Sequence, residues 1–168
     1  MSRFALLFAG SLSLVGAGCG LVDSLTPDEP EVPGDYPQLG SSGGARIDVV
    51  IDGTPLDAEG SCSYDDSGID EEKLRLSINV DHLDVEVRDR EIGEYSSRAD
   101  EVVADWYETE SFESSPACGE LLVNIDGEKS FEGLLGQELA SWGTLQLVLC
   151  NEAGDRMEVS GKFSCAPY

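Results

Sequence analysis

Leu74-Arg75-Leu76-Ser77-Ile78-Asn79-Val80, followed after Asp81-His82 by Leu83-Asp84-Val85-Glu86-Val87-Arg88, decides the fold class. In both runs every second residue is apolar and those between are polar or charged. Side chains of a strand alternate between its two faces, so each run predicts a strand with one face buried and one in water. A helix would repeat its apolar residues at three and four instead.

The same period appears on either side of this stretch. Ile47, Val49 and Ile51 alternate with Arg46 and Asp48. Leu121, Val123 and Ile125 alternate with Leu122, Asn124 and Asp126. Leu145, Leu147 and Leu149 form another face, and Met157, Val159, Phe163 and Cys165 share the last. Asp52-Gly53, Asp126-Gly127 and Ala153-Gly154-Asp155 read as turns between runs. A helix is an alternative only for Glu101 to Trp106 and around Leu134 to Trp142. Residues 45–168 are therefore expected to form one all-β domain, a small antiparallel sandwich or partly closed barrel.

The N-terminus obeys a different logic. Arg3 supplies a positive start, Phe4 to Val15 an apolar run, and Gly16-Ala17-Gly18 small residues suited to a signal peptidase. The run is too short to anchor across a bilayer, which needs about 20 residues. Residues 1–18 thus read as a signal peptide, with Cys19 next. "LVGAGC" resembles the lipobox of bacterial lipoproteins, with Gly16 where an aliphatic residue is usual. The resemblance implies a diacylated Cys19 as the mature N-terminus, holding the protein to a cell membrane or outer membrane through its lipid. Gly20 after that Cys is similar to lipoproteins released to an outer membrane.

Residues 19–44 read as a tether. They carry Pro27, Pro30, Pro33 and Pro37, several acids, and the closing run Gly40-Ser41-Ser42-Gly43-Gly44. Nothing in such a segment can bury a core, so it reads as a semi-rigid then flexible linker of about 3 Å per residue.

Charge limits the partners. The whole chain has 34 acidic against 10 basic residues, a formal charge of −24, and loss of residues 1–18 removes Arg3 alone. A phosphate backbone is repelled by that field, so no nucleic-acid partner is expected. A strongly hydrated surface is the simplest use of so many acids.

Apart from Cys19 there are four cysteines, Cys62, Cys118, Cys150 and Cys165, an even set suited to two disulfides in an exported chain. Parity places Cys165 on the core face with Phe163, and Cys62 shares parity with Tyr64 in the first part of the chain. Cys62–Cys165 and Cys118–Cys150 is accordingly the expected pairing. In the chain-entropy account the two closed loops contribute about 5 and 4 kcal/mol.

Val49-Val50-Ile51-Asp52-Gly53, Gly60, Cys62 and the terminal Gly161-Lys162-Phe163-Ser164-Cys165 together are similar to the mycobacterial lipoprotein-antigen family. That resemblance implies a surface lipoprotein with a binding or structural role, and carries no catalytic residue.

The chemistry available is narrow. His82 is the single histidine, in a segment that reads as a turn or exposed edge, so a nucleophile–histidine relay has few partners. Asp65, Asp66, Asp70 and Glu72 crowd one expected loop. They are read first as solvated, with calcium as the one cofactor their oxygens would suit. Trp106, Tyr107, Phe112 and Trp142 are read as core before sugar-binding groove. The expected function is non-enzymatic: a lipid-anchored acidic β-domain that binds an envelope protein or polysaccharide, or serves as envelope structure. A small envelope hydrolase using paired carboxylates is the alternative.

Overall fold

The computed structural model describes residues 31–39, 44–65, 75–89, 91–133 and 136–166. Their strands are β1 (Gly44–Ile51), β2 (Thr54–Asp65), β3 (Arg75–Val80), β4 (Leu83–Val87), β5 (Gly93–Ser96), β6 (Val102–Tyr107), β7 (Ser111–Glu113), β8 (Leu122–Gly133), β9 (Gly136–Cys150) and β10 (Arg156–Ala166). Every pairing is antiparallel.

The ring runs β10-β1-β2-β3-β4-β6-β7-β9 and closes where β9 pairs with β10. Eight strands form a closed barrel, which settles the choice between sandwich and barrel. Its seam is short: β7 meets β9 through the single pair Glu113 and Cys150. The rest of that β9 edge is taken by β8, with β5 beyond it. Eight strands enclose just enough room for side chains. Phe163, Ile47, Leu76, Ile78, Leu83, Ile125, Leu145, Leu147 and Leu149 fill it and are almost wholly buried. Each such burial contributes about 1.5–3 kcal/mol.

Turn chemistry follows the sequence in two places, Asp52-Gly53 and Ala153-Gly154-Asp155, and departs from it in a third. Asp52 and Gly53 join β1 to β2 with φ of 47° and 85°, the left-handed pair that a two-residue hairpin needs. Asp126-Gly127 is not a turn. It lies inside β8, where the register with β9 slips between Ile125 and Gly127. Glu128, Lys129 and Ser130 continue the same strand. Both helical alternatives also fail: Val102–Tyr107 is β6, and the chain from Gly136 through Trp142 belongs to β9. Their alternating partners on the neighbouring strands outweigh local helix preference.

Hairpin direction gives the barrel two distinct ends. β1 begins and β10 finishes at the proximal end. The turns at 52–53, 81–82, 108–110 and 151–155 gather at the distal end.

The stretch expected to be tether contains a docked segment. In residues 31–39, Val32 is buried, and Tyr36 sets its ring 6.4 Å from that of Trp142 while its hydroxyl donates to Asp126 at 2.9 Å. Lys162 stands 4.8 Å over the Tyr36 ring and donates to the Asp35 carbonyl at 2.7 Å. Lys129 pairs with Glu31. One apolar and one aromatic side chain are enough to seat a Pro-rich segment whose composition otherwise reads as linker.

Candidate functional site

The distal end carries an open pocket of about 1000 Å³. Two segments far apart in sequence build it: the stretch from the end of the β6–β7 turn through β7 into the loop after it (Glu110, Ser111, Glu113, Ser114, Ser115, Ala117, Cys118), and the β9–β10 turn with its flanking residues (Cys150 to Arg156).

Asn151 organises the rim. Its backbone N–H donates to the Asp155 carbonyl at 3.1 Å, and its side-chain oxygen accepts from the Asp155 N–H at 2.8 Å. Its amide then donates to Glu110 at 3.1 Å and to the Asp155 carboxylate at 3.0 Å. Two acids from different turns are thereby held together by one neutral donor. Gly154, at φ 88°, makes the turn that allows this.

The Cys118–Cys150 disulfide forms part of the pocket wall and pins the loop after β7 to the seam strand, with Cα atoms 5.8 Å apart. The other disulfide, Cys62–Cys165, lies in the core with Cα atoms 5.9 Å apart and joins β2 to the last strand. Cys62 lies within the long β2.

From the pocket, a row of acids crosses the outer wall. Glu113 on β7 stands opposite Asp105 on β6, which stands opposite Asp84 on β4. Burial pushes the Asp105 carboxyl above its usual range, with Glu113 and then Asp84 adding repulsion. Burial likewise raises Asp84, with help from Glu86. Nearby, His82 sits in the β3–β4 turn with its ring 5.5 Å from that of Trp106. Trp106 belongs to the core, Phe112 packs against it, and Tyr107 is exposed.

Among the other expected site residues, Cys19, Asp66, Asp70 and Glu72 lie outside the described residues, and Asp65 is described only as the backbone end of β2. Among the described residues no group of three or more His, Cys, Asp or Glu side chains is placed to hold a metal ion. No helix among them is long and apolar enough to cross a membrane. The pocket was not legible in the sequence. Its one local signal is the Asn151–Asp155 spacing around Gly154, and nothing local ties that turn to Glu110. Comparison with protein-family models, curated proteins and solved structures finds no match for this chain.

Proposed function

We propose that this chain is a non-enzymatic, lipid-anchored envelope protein, held through Cys19, whose rigid acidic barrel presents its distal pocket to an envelope polysaccharide. One observation carries the reading: the chain enters the barrel at the proximal end, and the pocket lies among the distal turns. A tether at one end thus leaves the pocket facing away from the membrane. The carboxylates of Glu110, Glu113, Glu152 and Asp155 and the hydroxyls of Ser111, Ser114 and Ser115 are acceptors and donors of the kind sugar hydroxyls pair with. A packed, twice-bridged scaffold holds them with little loss of freedom on binding. The two disulfides are compatible with an exported chain.

The test has two arms. Cys19→Ala is expected to release the protein from membranes or block its processing, and the wild-type N-terminus to carry acyl mass. Purified full-length protein is expected to retain envelope polysaccharide, with retention reduced at least tenfold by Asn151→Ala at an unchanged fold. Equal retention by both chains would remove the pocket from the reading.

A hydrolase is the second reading, supported by the raised Asp105 carboxyl beside Glu113. Release of reducing ends from envelope polysaccharide, abolished by Asp105→Asn, would favour it.

A further inference from the structure

We propose that residues 31–39 form a reversible strap, which closes on the outer wall of β8–β10 and opens without unfolding the barrel. The strap is joined to β1 through Gly40-Ser41-Ser42-Gly43. Its hold is of a different kind from that of the strands. Among the described residues, the backbone hydrogen bond of the strap is internal, from Tyr36 N–H to the Pro33 carbonyl at 2.9 Å, and none links its backbone to that of a strand. Two side chains seat it: Val32 is buried, and Tyr36 rests against Trp142. The Tyr36 hydroxyl donates to Asp126 and Lys162 donates to the Asp35 carbonyl, and the rest is charge at the surface. Lys129 pairs with Glu31 and Lys162 with Asp35, all four side chains being substantially exposed.

Exposed pairs of this kind are screened by salt, and a segment with few seated side chains opens more readily than the sheet beneath it. The same wall also carries an imperfection. Ser164, on β10 opposite Trp142 and Arg46, is fully buried, and its hydroxyl has no hydrogen-bond partner among the described residues. Strap opening would let water reach this wall. It would also free nine residues, adding up to roughly 30 Å to the chain that precedes the barrel. That gain in reach rests on the anchored reading given above. The strap itself does not.

Hydrogen–deuterium exchange on the full-length chain, at low and at high ionic strength, tests the strap. Protection of the residue-36 amide, the hydrogen-bonded N–H of the strap, is expected to fall at least tenfold with salt, and at least tenfold in Tyr36→Ala at low salt, while β8, β9 and β10 keep theirs. Strap and strands losing protection together would overturn the proposal, as would a strap already unprotected in the wild type at low salt. Neutron reflectivity of the acylated protein on a phosphatidylcholine bilayer reads the reach. Tyr36→Ala is expected to move the barrel layer outward. Opening seen by exchange with no outward shift would count against the anchored reading and leave the strap standing.

Discussion

Gly127 lies directly beneath the indole of Trp142: a Cβ built on Gly127 would stand 2.5 Å from Cζ2 of that ring. The two residues are cross-strand partners at the bulge of β8, and the indole fills the space a side chain would need. Tyr36 in turn rests against the same Trp142. Gly127→Ala must therefore push the indole off its seat. Overpacking of this kind costs about 1–3 kcal/mol. A lower melting temperature is expected, together with a shift in tryptophan emission and weaker protection of the residue-36 amide. A variant with wild-type emission and stability would show that the wall yields without cost.

The same pair shows where sequence reading stops. Leu76, Ile78, Val80, Leu83, Val85 and Val87 announced their strands because the alternation is local, and all six are buried. Asp126-Gly127 announced a turn by an equally local rule, yet its role is set by Trp142 on another strand. Closure into a barrel was open for a related reason: it hangs on the Glu113–Cys150 pair and on β9 meeting β10, contacts that leave no periodic mark. The pocket joins Glu110 to Asn151, and the strap joins Tyr36 to Asp126 and Lys162. Neither partner in these pairs carries a signal of the other. The cysteine pairing was more accessible, because parity alone put Cys165 inward beside Phe163.

The two disulfides should differ in susceptibility to thiols. Cys62 and Cys165 are buried in the core, while Cys118 and Cys150 are partly exposed on the pocket wall. Thiol–disulfide exchange needs access of the attacking thiolate to sulfur. Under native conditions a small dithiol is expected to reduce Cys118–Cys150 at least ten times faster. The sequence separation of that bridge is 32 residues, so its loss should cost up to about 4 kcal/mol in the chain-entropy account. Mass spectrometry after timed alkylation reads the order. Simultaneous reduction of both bridges would mean that reduction waits for global unfolding.

Inside the proximal end, the hydroxyls of Tyr64 and Ser141 lie 2.7 Å apart, and Ser141 is fully buried. Tyr64→Phe leaves the Ser141 hydroxyl without that partner, a loss of about 1–3 kcal/mol. Adding Ser141→Ala removes the stranded group and should restore much of that stability. Denaturant melts of the two single variants and the double variant close the cycle. Strictly additive losses would show that the two hydroxyls are not coupled.

The acid row on the outer wall predicts an inverted pH response at one position. Asp84, Asp105 and Glu113 stand opposite one another across β4, β6 and β7, and like charges so placed oppose strand pairing. Burial holds Asp84 and Asp105 above the ordinary carboxyl value of 3.8. A carboxyl whose folded value is raised binds its proton in the folded chain at a pH where the unfolded chain has released it. Its favourable contribution is therefore complete below about 3.8 and is lost as pH rises through the raised value. Asp57 works in the other direction: its hydrogen bond from Arg46 lowers its carboxyl, so its contribution holds above 3.8 and fades as pH falls through the lowered value. At neutral pH the row thus weighs against the fold. Asp105→Asn removes its central charge at nearly constant shape and should stabilise the chain by about 0.5 kcal/mol at pH 7. Melting curves of both chains from acid to neutral pH should show that advantage shrinking as the wild-type Asp105 takes up its proton. An advantage that persists at acid pH would assign the effect to the amide and not to the charge. A variant less stable at neutral pH would show that the hydrogen bond from the Ser114 backbone to the Asp105 carboxylate outweighs the repulsion along the row.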